Sequence, residues 1–444
     1  MGAQGARRLG IIAVLGTMGA LMAGSSASAA VIRPNTSNDE NGGGAACSLR
    51  EAILAANTDT AFGGCPAGAG PDTVVLAAAT YGLSVPRGSS GDDRLDGDLH
   101  VASQLTITHA GIRPAVIDGR GLDRVIRVLG AGNLTASGLT IRNGRTRSSG
   151  GGIRNEGALN LSNATVAGNE TTGSFGGGIA NSGTAVMSLT NVTLSGNRAE
   201  GDGGAIDQGL GGQANLNNVT ITGNTADTDG DAGGGGGVLV APGTILNPEG
   251  RFKLRNTIIA GNTDISPPSI SKSPDCGGTL ISQGNNLIGD RTGCGFAPRA
   301  GDKTNVKPRL GPLANNGAST FTHALLAGSP ALNAGGAGAP PTDQRGVPRR
   351  RPDIGAYEFA VCAGRVVNRV GTSGPDRLVG TRAADGILAM GGRDVLEGRA
   401  GKDGLCGGAG RDKLLGQGGK DTLVGGKGRD VCRGGAGKDV EKSC

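Results

Sequence analysis

Tryptophan is absent from the 444 residues, and tyrosine occurs only at Tyr81 and Tyr357. Sugar-binding clefts usually rest their ligands on aromatic rings, so that means of holding a glycan is missing. Histidine is restricted to His100, His109 and His323, and no two cysteines stand in a CxxC pair. That gives a zinc site little support. No cluster of Lys and Arg is interleaved with aromatics, which leaves nucleic-acid binding without support. The triplet Arg349-Arg350-Arg351 reads as a solvated loop. What the chain has in quantity is glycine, 88 residues of it. Glycine without a collagen period, and with few aromatics, can accompany disorder. Here the glycines fall in register with short Val/Ile/Leu/Thr runs, which points to a repeat fold.

Residues 1–29 read as a signal peptide. Arg7 and Arg8 form a basic start, Leu9 to Ala23 an apolar stretch too short to span a bilayer, and Ala27-Ser28-Ala29 a cleavage site. No later stretch is apolar enough to cross a membrane. The mature chain is expected outside the cell or at its surface, without a membrane span and as a monomer. Eight cysteines fit that oxidising compartment, with two local pairs first, Cys47 with Cys65 and Cys276 with Cys294.

From residue 134 to 262 one pattern recurs: LTASGLTIRNG, LNLSNATVAGN, MSLTNVTLSGN, ANLNNVTITGN and FKLRNTIIAGN. Thr165, Thr193 and Thr220 each follow an asparagine, namely Asn163, Asn191 and Asn218, by two residues. In the fifth run Asn256 keeps its place and Ile258 replaces the threonine. GGGIRN ending at Asn155, GGGIAN ending at Asn181 and GGAID ending at Asp207 interleave with these runs. Equivalent positions lie about 26–28 residues apart, and further where a Gly-rich loop such as Asp227 to Gly237 intervenes. Short strands, polar corners and that period define a solenoid. The fold expected is all-β: a right-handed parallel β-helix over residues 30–361, its coils about 4.8 Å apart.

Alternation predicts that Leu161, Val166, Leu189, Val192, Leu194, Leu216, Val219, Ile221, Leu254 and Ile259 point inward. The corner asparagines can take left-handed conformations and bond along the stack. Several lie in N-x-S/T sequences, but their repetition in successive rungs marks them as architectural. Ahead of the coils, CSLREAILAAN offers a capping box, Ser48 with Glu51, and one apolar helical face, Leu49, Ala52, Ile53 and Ala56. A helix there, within a cap spanning residues 47–65, would cover the first coil.

CSLREAILAAN resembles the N-terminal cap of secreted bacterial β-helix proteins. The GGGI and GGAI elements resemble adhesin passengers at the level of fold. PRLGPLANNGASTFTHALLAGSPALNAG and TDQRGVPRRRPDIGAYEF, within residues 308–359, resemble the choice-of-anchor Q region that ends such β-helices.

From Gly371 the chain keeps a nine-residue beat through eight units, with Asp376, Asp385, Asp394, Asp403, Asp412, Asp421, Asp430 and Asp439 at the sixth position. The eighth position is apolar in six units, from Leu378 to Leu423, and holds Cys432 and Glu441 in the last two. The pattern resembles the calcium-binding nonapeptide of the RTX family. That resemblance implies a parallel β-roll over residues 362–444, with two units per turn and unit n stacked on unit n+2. Asp376, Asp394, Asp412 and Asp430 would line one side; Asp385, Asp403, Asp421 and Asp439 the other. Ca²⁺ would take oxygens from these aspartates and from backbone carbonyls of the glycine turns. In that register Cys406 and Cys432 lie on opposite sides, so Cys362–Cys406 and Cys432–Cys444 are the expected bridges. The array departs from the family pattern at Ala383, and in the Arg or Lys that precedes each aspartate from Arg393 onward. A salt-bridged roll without metal is therefore the competing reading.

Two functions follow. The first is a secreted calcium-binding β-solenoid with a structural or adhesive role, its partners extracellular glycans or cell-surface components. The second is a polysaccharide lyase or glycoside hydrolase on the same scaffold. Asn262-Thr263-Asp264 copies one polygalacturonase motif, but the GHG and RIK that accompany it are missing. A solvent-exposed groove of converging carboxylates and Arg/Lys would favour the enzyme. No catalytic residue is assigned.

Overall fold

A computed structural model describes residues 1–2, 29–88, 95, 97–228, 234–240, 251–267 and 272–444. Most of the expected leader, and Asp229 and Asp231 of the Gly-rich loop, lie outside the described residues. No described helix is long and apolar enough to cross a membrane.

The chain is nearly all β, and it stacks on itself in parallel. On one face Asn133–Ser137, Ala158–Ala167, Val186–Ser195, Gln213–Asn217 and Phe252–Arg255 pair in sequence. On another, Ile126–Val128, Ile153–Asn155, Ile179–Asn181, Ile206–Gln208 and Val238–Val240 do the same. The alternation works because like residues meet: Leu161, Leu189, Leu216 and Leu254 form one inward column. Val166, Leu194, Ile221 and Ile259 form a second. All ten residues expected inside are buried in the continuous core. The GGAID repeat keeps this register, Ile206 pairing with Ile179, so that Gln208, the residue after it, pairs with Asn181.

The first of the five runs turns at Gly138, with φ of 72°, and the other four at an asparagine. Asn163, Asn191, Asn218 and Asn256 have φ of 49°, 53°, 55° and 50°, a left-handed conformation that Asn tolerates better than most residues. A second asparagine column runs inside the stack. The amide of Asn169 donates to Asn197 at 2.9 Å, Asn197 to Asn224 at 2.8 Å, and Asn224 to Asn262 at 2.8 Å. Asp275 ends it, accepting from Asn262 at 2.9 Å.

The helix Leu49–Thr58 covers the first coil. Ser48 and Glu51 form the capping box, and its apolar side is buried against the opening strands. Cys47–Cys65 pins it, and Cys276–Cys294 closes a later coil.

Residues 308–359 do not extend the stack. They run back as a strap across the Thr/Asn face. Thr165 donates to the Phe321 carbonyl at 2.7 Å, and Thr193 to Gln344 at 2.7 Å. Asn191 donates to the Thr342 carbonyl, and Asn218 to the carbonyls of Asp353 and Gly355. These Thr and Asn rungs are therefore a seat for the strap. Asn191 and Asn218 are buried by it, which closes both sequons to glycan attachment in the folded chain. Arg349 is likewise not solvated: its buried guanidinium pairs with Glu358 at 2.8 Å.

The nonapeptides build a second, thinner stack. Residues Val395–Gly401, Lys413–Gly419 and Val431–Ala436 form one sheet, and Gly404–Gly410, Thr422–Gly428 and Val440–Lys442 the other. Its core is a single layer of Leu378, Ile387, Leu396, Leu405, Leu414 and Leu423. Cys432 packs at the edge of that layer, and Glu441 is exposed. Cys362–Cys406 ties the start of this stack to its middle, and Cys432–Cys444 locks its end.

Candidate metal centre

The sheet register advances eighteen residues per turn. It puts Asp376, Asp394, Asp412 and Asp430 in one column, and Asp385, Asp403, Asp421 and Asp439 in the other. The backbone N–H of each of the first six aspartates donates to Oδ1 of the aspartate one turn on. Asp376 reaches Asp394 at 2.8 Å and Asp394 reaches Asp412 at 2.9 Å. Asp385 reaches Asp403 at 2.8 Å and Asp403 reaches Asp421 at 2.9 Å.

That bond uses one oxygen. The other, Oδ2, is buried and without a hydrogen-bond partner in Asp394, Asp403, Asp412, Asp421 and Asp430. An orphaned carboxylate oxygen is costly, and five in a row call for a cation. The neighbouring atoms suit one. A Cβ at Gly407 would lie 2.5 Å from Asp412 Oδ2 and 2.6 Å from the Gly425 carbonyl oxygen of the next turn. A Cβ at Gly398 would lie 2.5 Å from Asp403 Oδ2 and 2.9 Å from the Gly416 carbonyl. Carboxylate and carbonyl oxygens thus converge on space that only glycine leaves open. Hard oxygen donors of this kind match Ca²⁺. Among the described residues no three His, Cys, Asp or Glu side chains gather at one point. Backbone carbonyls are therefore the further oxygen donors at hand around these carboxylates.

The electrostatics agree. Burial, and then the neighbouring aspartates of the same column, push the carboxyls of Asp394 and Asp403 up to about 6. Asp412 and Asp421 are raised for the same reasons. The competing salt-bridged roll is not what forms. Among the described residues the array's ion pair joins Arg377 to Glu397, and the eight aspartates have none. Arg393, Lys402, Arg411, Lys420, Arg429 and Lys438 are exposed, one residue from a buried carboxylate and on the other side of the chain.

The first two units differ. Asp376 Oδ2 accepts from the backbone N–H and hydroxyl of Thr372, and Asp385 Oδ2 from those of Thr381. Asn368 donates to Asp385 Oδ1 at 2.8 Å. These two carboxylates are satisfied by protein donors. Their turns also differ. Gly392, Gly401, Gly410, Gly419, Gly428 and Gly437 at the fourth position have φ between 131° and 151°, while Gly374 and Ala383 do not take positive φ. A Cβ at Gly410 would run into the Gly392 carbonyl, so the regular turn admits only glycine. The threonines are legible at the second position of both units; their role was not.

Elsewhere the enzyme reading gains and loses. Asp264 of the NTD sequence is buried, with Oδ1 held by Ser266 and Oδ2 by the Ser273 N–H. Ser195 Oγ lies 2.9 Å from His323 Nε2, resembling an activated nucleophile. His323 Nδ1 is 2.8 Å from the Gly311 carbonyl, so no carboxylate orients the ring, and the pair fastens the strap to its coil. A cleft of about 760 Å³ does lie on the coils, lined by Arg87, Asp123, Arg145, Arg147, Ser148 and Glu200 among others. Among the described residues Asp123 Oδ2 is buried there without a hydrogen-bond partner.

The solenoid and its oxygen-lined roll define a calcium-binding β-roll protein. The family model described as the RTX calcium-binding nonapeptide repeat, in four copies, matches residues 370–405 and 407–441. No curated protein and no solved structure matches the chain.

Proposed function

We propose that the chain is a secreted, monomeric calcium-binding β-solenoid with a structural or adhesive role outside the cell. It divides into a signal peptide at residues 1–29, a β-helix at 30–361 closed by the strap, and a calcium-binding roll at 362–444. Of the eight aspartates, Asp394, Asp403, Asp412, Asp421 and Asp430 are the binding set, Asp376 and Asp385, already held by protein donors, are its base, and Asp439 ends the array. The five buried, unpartnered Oδ2 atoms carry this reading. Four disulfides among the eight cysteines agree with an oxidising compartment. A roll that closes only around calcium would stay open in the cytoplasm, where the ion is scarce, and fold after export. The test is thermal unfolding of the full chain with millimolar calcium and with EGTA. Stabilisation by calcium is expected, and identical melting in both would overturn the reading.

The cleft over Asp123 supports a second reading, a polysaccharide lyase or hydrolase. Arg147, Thr172 and Glu200 follow one another there on successive coils. Assay against polyuronides, with Asp123→Asn as control, separates the readings: turnover lost in that variant would establish the enzyme.

A further inference from the structure

The aspartates account for the inner side of the roll and leave its outer side unexplained. Residues 362–444 hold fifteen Lys and Arg against ten Asp and Glu. Eight of those ten acids are the column aspartates, whose carboxylates bond along the stack or turn toward the glycine turns. The outer surface is therefore far more basic than the net charge suggests.

The basic residues at the fifth position are also ordered. Gly392 pairs with Gly410 and Gly410 with Gly428, so Arg393, Arg411 and Arg429 stand one above another. Gly401 pairs with Gly419, which stacks Lys402 on Lys420, with Lys438 one turn further. One edge of the roll is an arginine column and the opposite edge a lysine column. All six side chains are exposed, and none makes an ion pair among the described residues. Successive cations within a column are one strand spacing apart, about 4.8 Å. Like charges held that close repel one another, and a polyanion would relieve the repulsion.

We infer that the arginine edge of the roll is a binding track for a linear acidic polysaccharide, and that calcium in the roll strengthens it. The spacing is about that of one sugar residue in an extended chain, so a carboxylate on each residue can meet one guanidinium per turn. Arginine binds carboxylate through two parallel N–H donors, which lysine cannot match. Residues 362–444 contain no Phe, Tyr or Trp, so unstacked bases would find no platform, which disfavours nucleic acid. The coupling to calcium is electrostatic. Each bound ion places two positive charges beside the inner carboxylates and removes their attraction for the outer cations. The same side chains then present a stronger field.

The inference rests on the calcium reading, and the experiment separates the two. Binding of short oligogalacturonates, below gelling length, is measured on the full chain by calorimetry in millimolar calcium and in EGTA. Calcium is expected to tighten binding by about tenfold or more. The variant Arg393→Gln/Arg411→Gln/Arg429→Gln is expected to lose about tenfold or more in affinity, with its stabilisation by calcium unchanged. The corresponding lysine variant should lose less. Unchanged affinity in the arginine variant would overturn the track. Equal affinity with and without calcium, in a chain that calcium stabilises, would overturn the coupling. Tighter binding of a single-stranded DNA of matched charge would make the edge a nucleic-acid site and overturn the assignment. A chain that calcium does not stabilise removes the metal reading, and the arginine variant in EGTA still reports on the track.

Discussion

Both stacks of this chain carry a polar ladder along their length, and the two ladders differ by one chemical group. In the β-helix the rungs are Asn169, Asn197, Asn224 and Asn262. An amide both donates and accepts, so each rung serves the next and the column satisfies itself. In the roll the rungs are aspartates. A carboxylate only accepts, so each from Asp394 to Asp430 takes an N–H from the turn before and leaves an oxygen over. The first ladder is complete when the chain folds. The second is complete only with a cation. An Asn-for-Asp difference at one position per coil thus divides a self-sufficient solenoid from a metal-dependent one.

Calcium removal should break the comparison most. Each site held at a hundred times its Kd stabilises the fold by about 2.7 kcal/mol, and several sites lie in series. In EGTA the roll should melt well below the β-helix, giving two transitions in calorimetry. In calcium they should approach one another. A single EGTA-insensitive transition would show the two ladders to be equivalent.

Acidity should stand in for the metal. The carboxyls of Asp394 and Asp403 titrate near 6 in the fold, against about 3.9 when unfolded. A raised acid binds its proton more tightly in the folded state. The stability this contributes is full below about pH 4 and is lost as the pH rises through about 6. The metal-free roll should therefore melt higher at pH 4 than at pH 7.5. With calcium the trend should reverse, because protons compete for the same oxygens. Parallel pH profiles with and without calcium would contradict the assignment.

Within the β-helix, Asn224→Ala removes the donor to Asn262 and the acceptor for the Asn197 backbone and side chain. Leaving those buried groups unpaired should cost about 2–4 kcal/mol, the same in calcium and in EGTA. Denaturant unfolding followed on the higher transition would measure it.

The coils were legible because a strand's period of two, repeated at a fixed interval, sorts residues such as Leu189 and Leu216 inward without further information. The two aspartate columns followed from the nine-residue beat by arithmetic. The strap was not legible. It is held largely by peptide carbonyls, those of Phe321, Thr342 and Asp353, which every residue has and no sequence marks. For the same reason Arg349 looked solvated. At the metal centre the type of ligand was readable, but not which oxygen of each carboxylate was already used. That depends on register and on the donors that local turns supply.

Asp412→Asn would convert one rung of the roll to the β-helix type. Its new N–H₂ would face the space beside Gly407 that the Gly425 carbonyl also lines, and one of the column's like charges would be removed. The metal-free roll should gain about 1 kcal/mol, while the calcium-induced shift shrinks. An Asn that lowers stability in EGTA would show that the orphaned oxygen has a protein partner after all.

The smallest effect is expected where the roll already solves its own problem. Thr372→Val deletes the hydroxyl on Asp376 Oδ2 and leaves the backbone N–H in place. Two partly buried hydrogen bonds are lost, the one to Asp376 Oδ2 and the one the hydroxyl accepts from the Gly374 N–H at 3.1 Å, which together should cost about 1 kcal/mol. The cost should be equal in calcium and in EGTA, because this carboxylate is not left open for a metal. Calcium stoichiometry should not change either. Were the variant instead to bind an additional ion, Thr372 would be excluding calcium from the first turn rather than replacing it. The boundary between the two kinds of ladder would then be set by one hydroxyl, since the turn around Gly374, which lacks the left-handed glycine of the later units, would be no barrier to the metal.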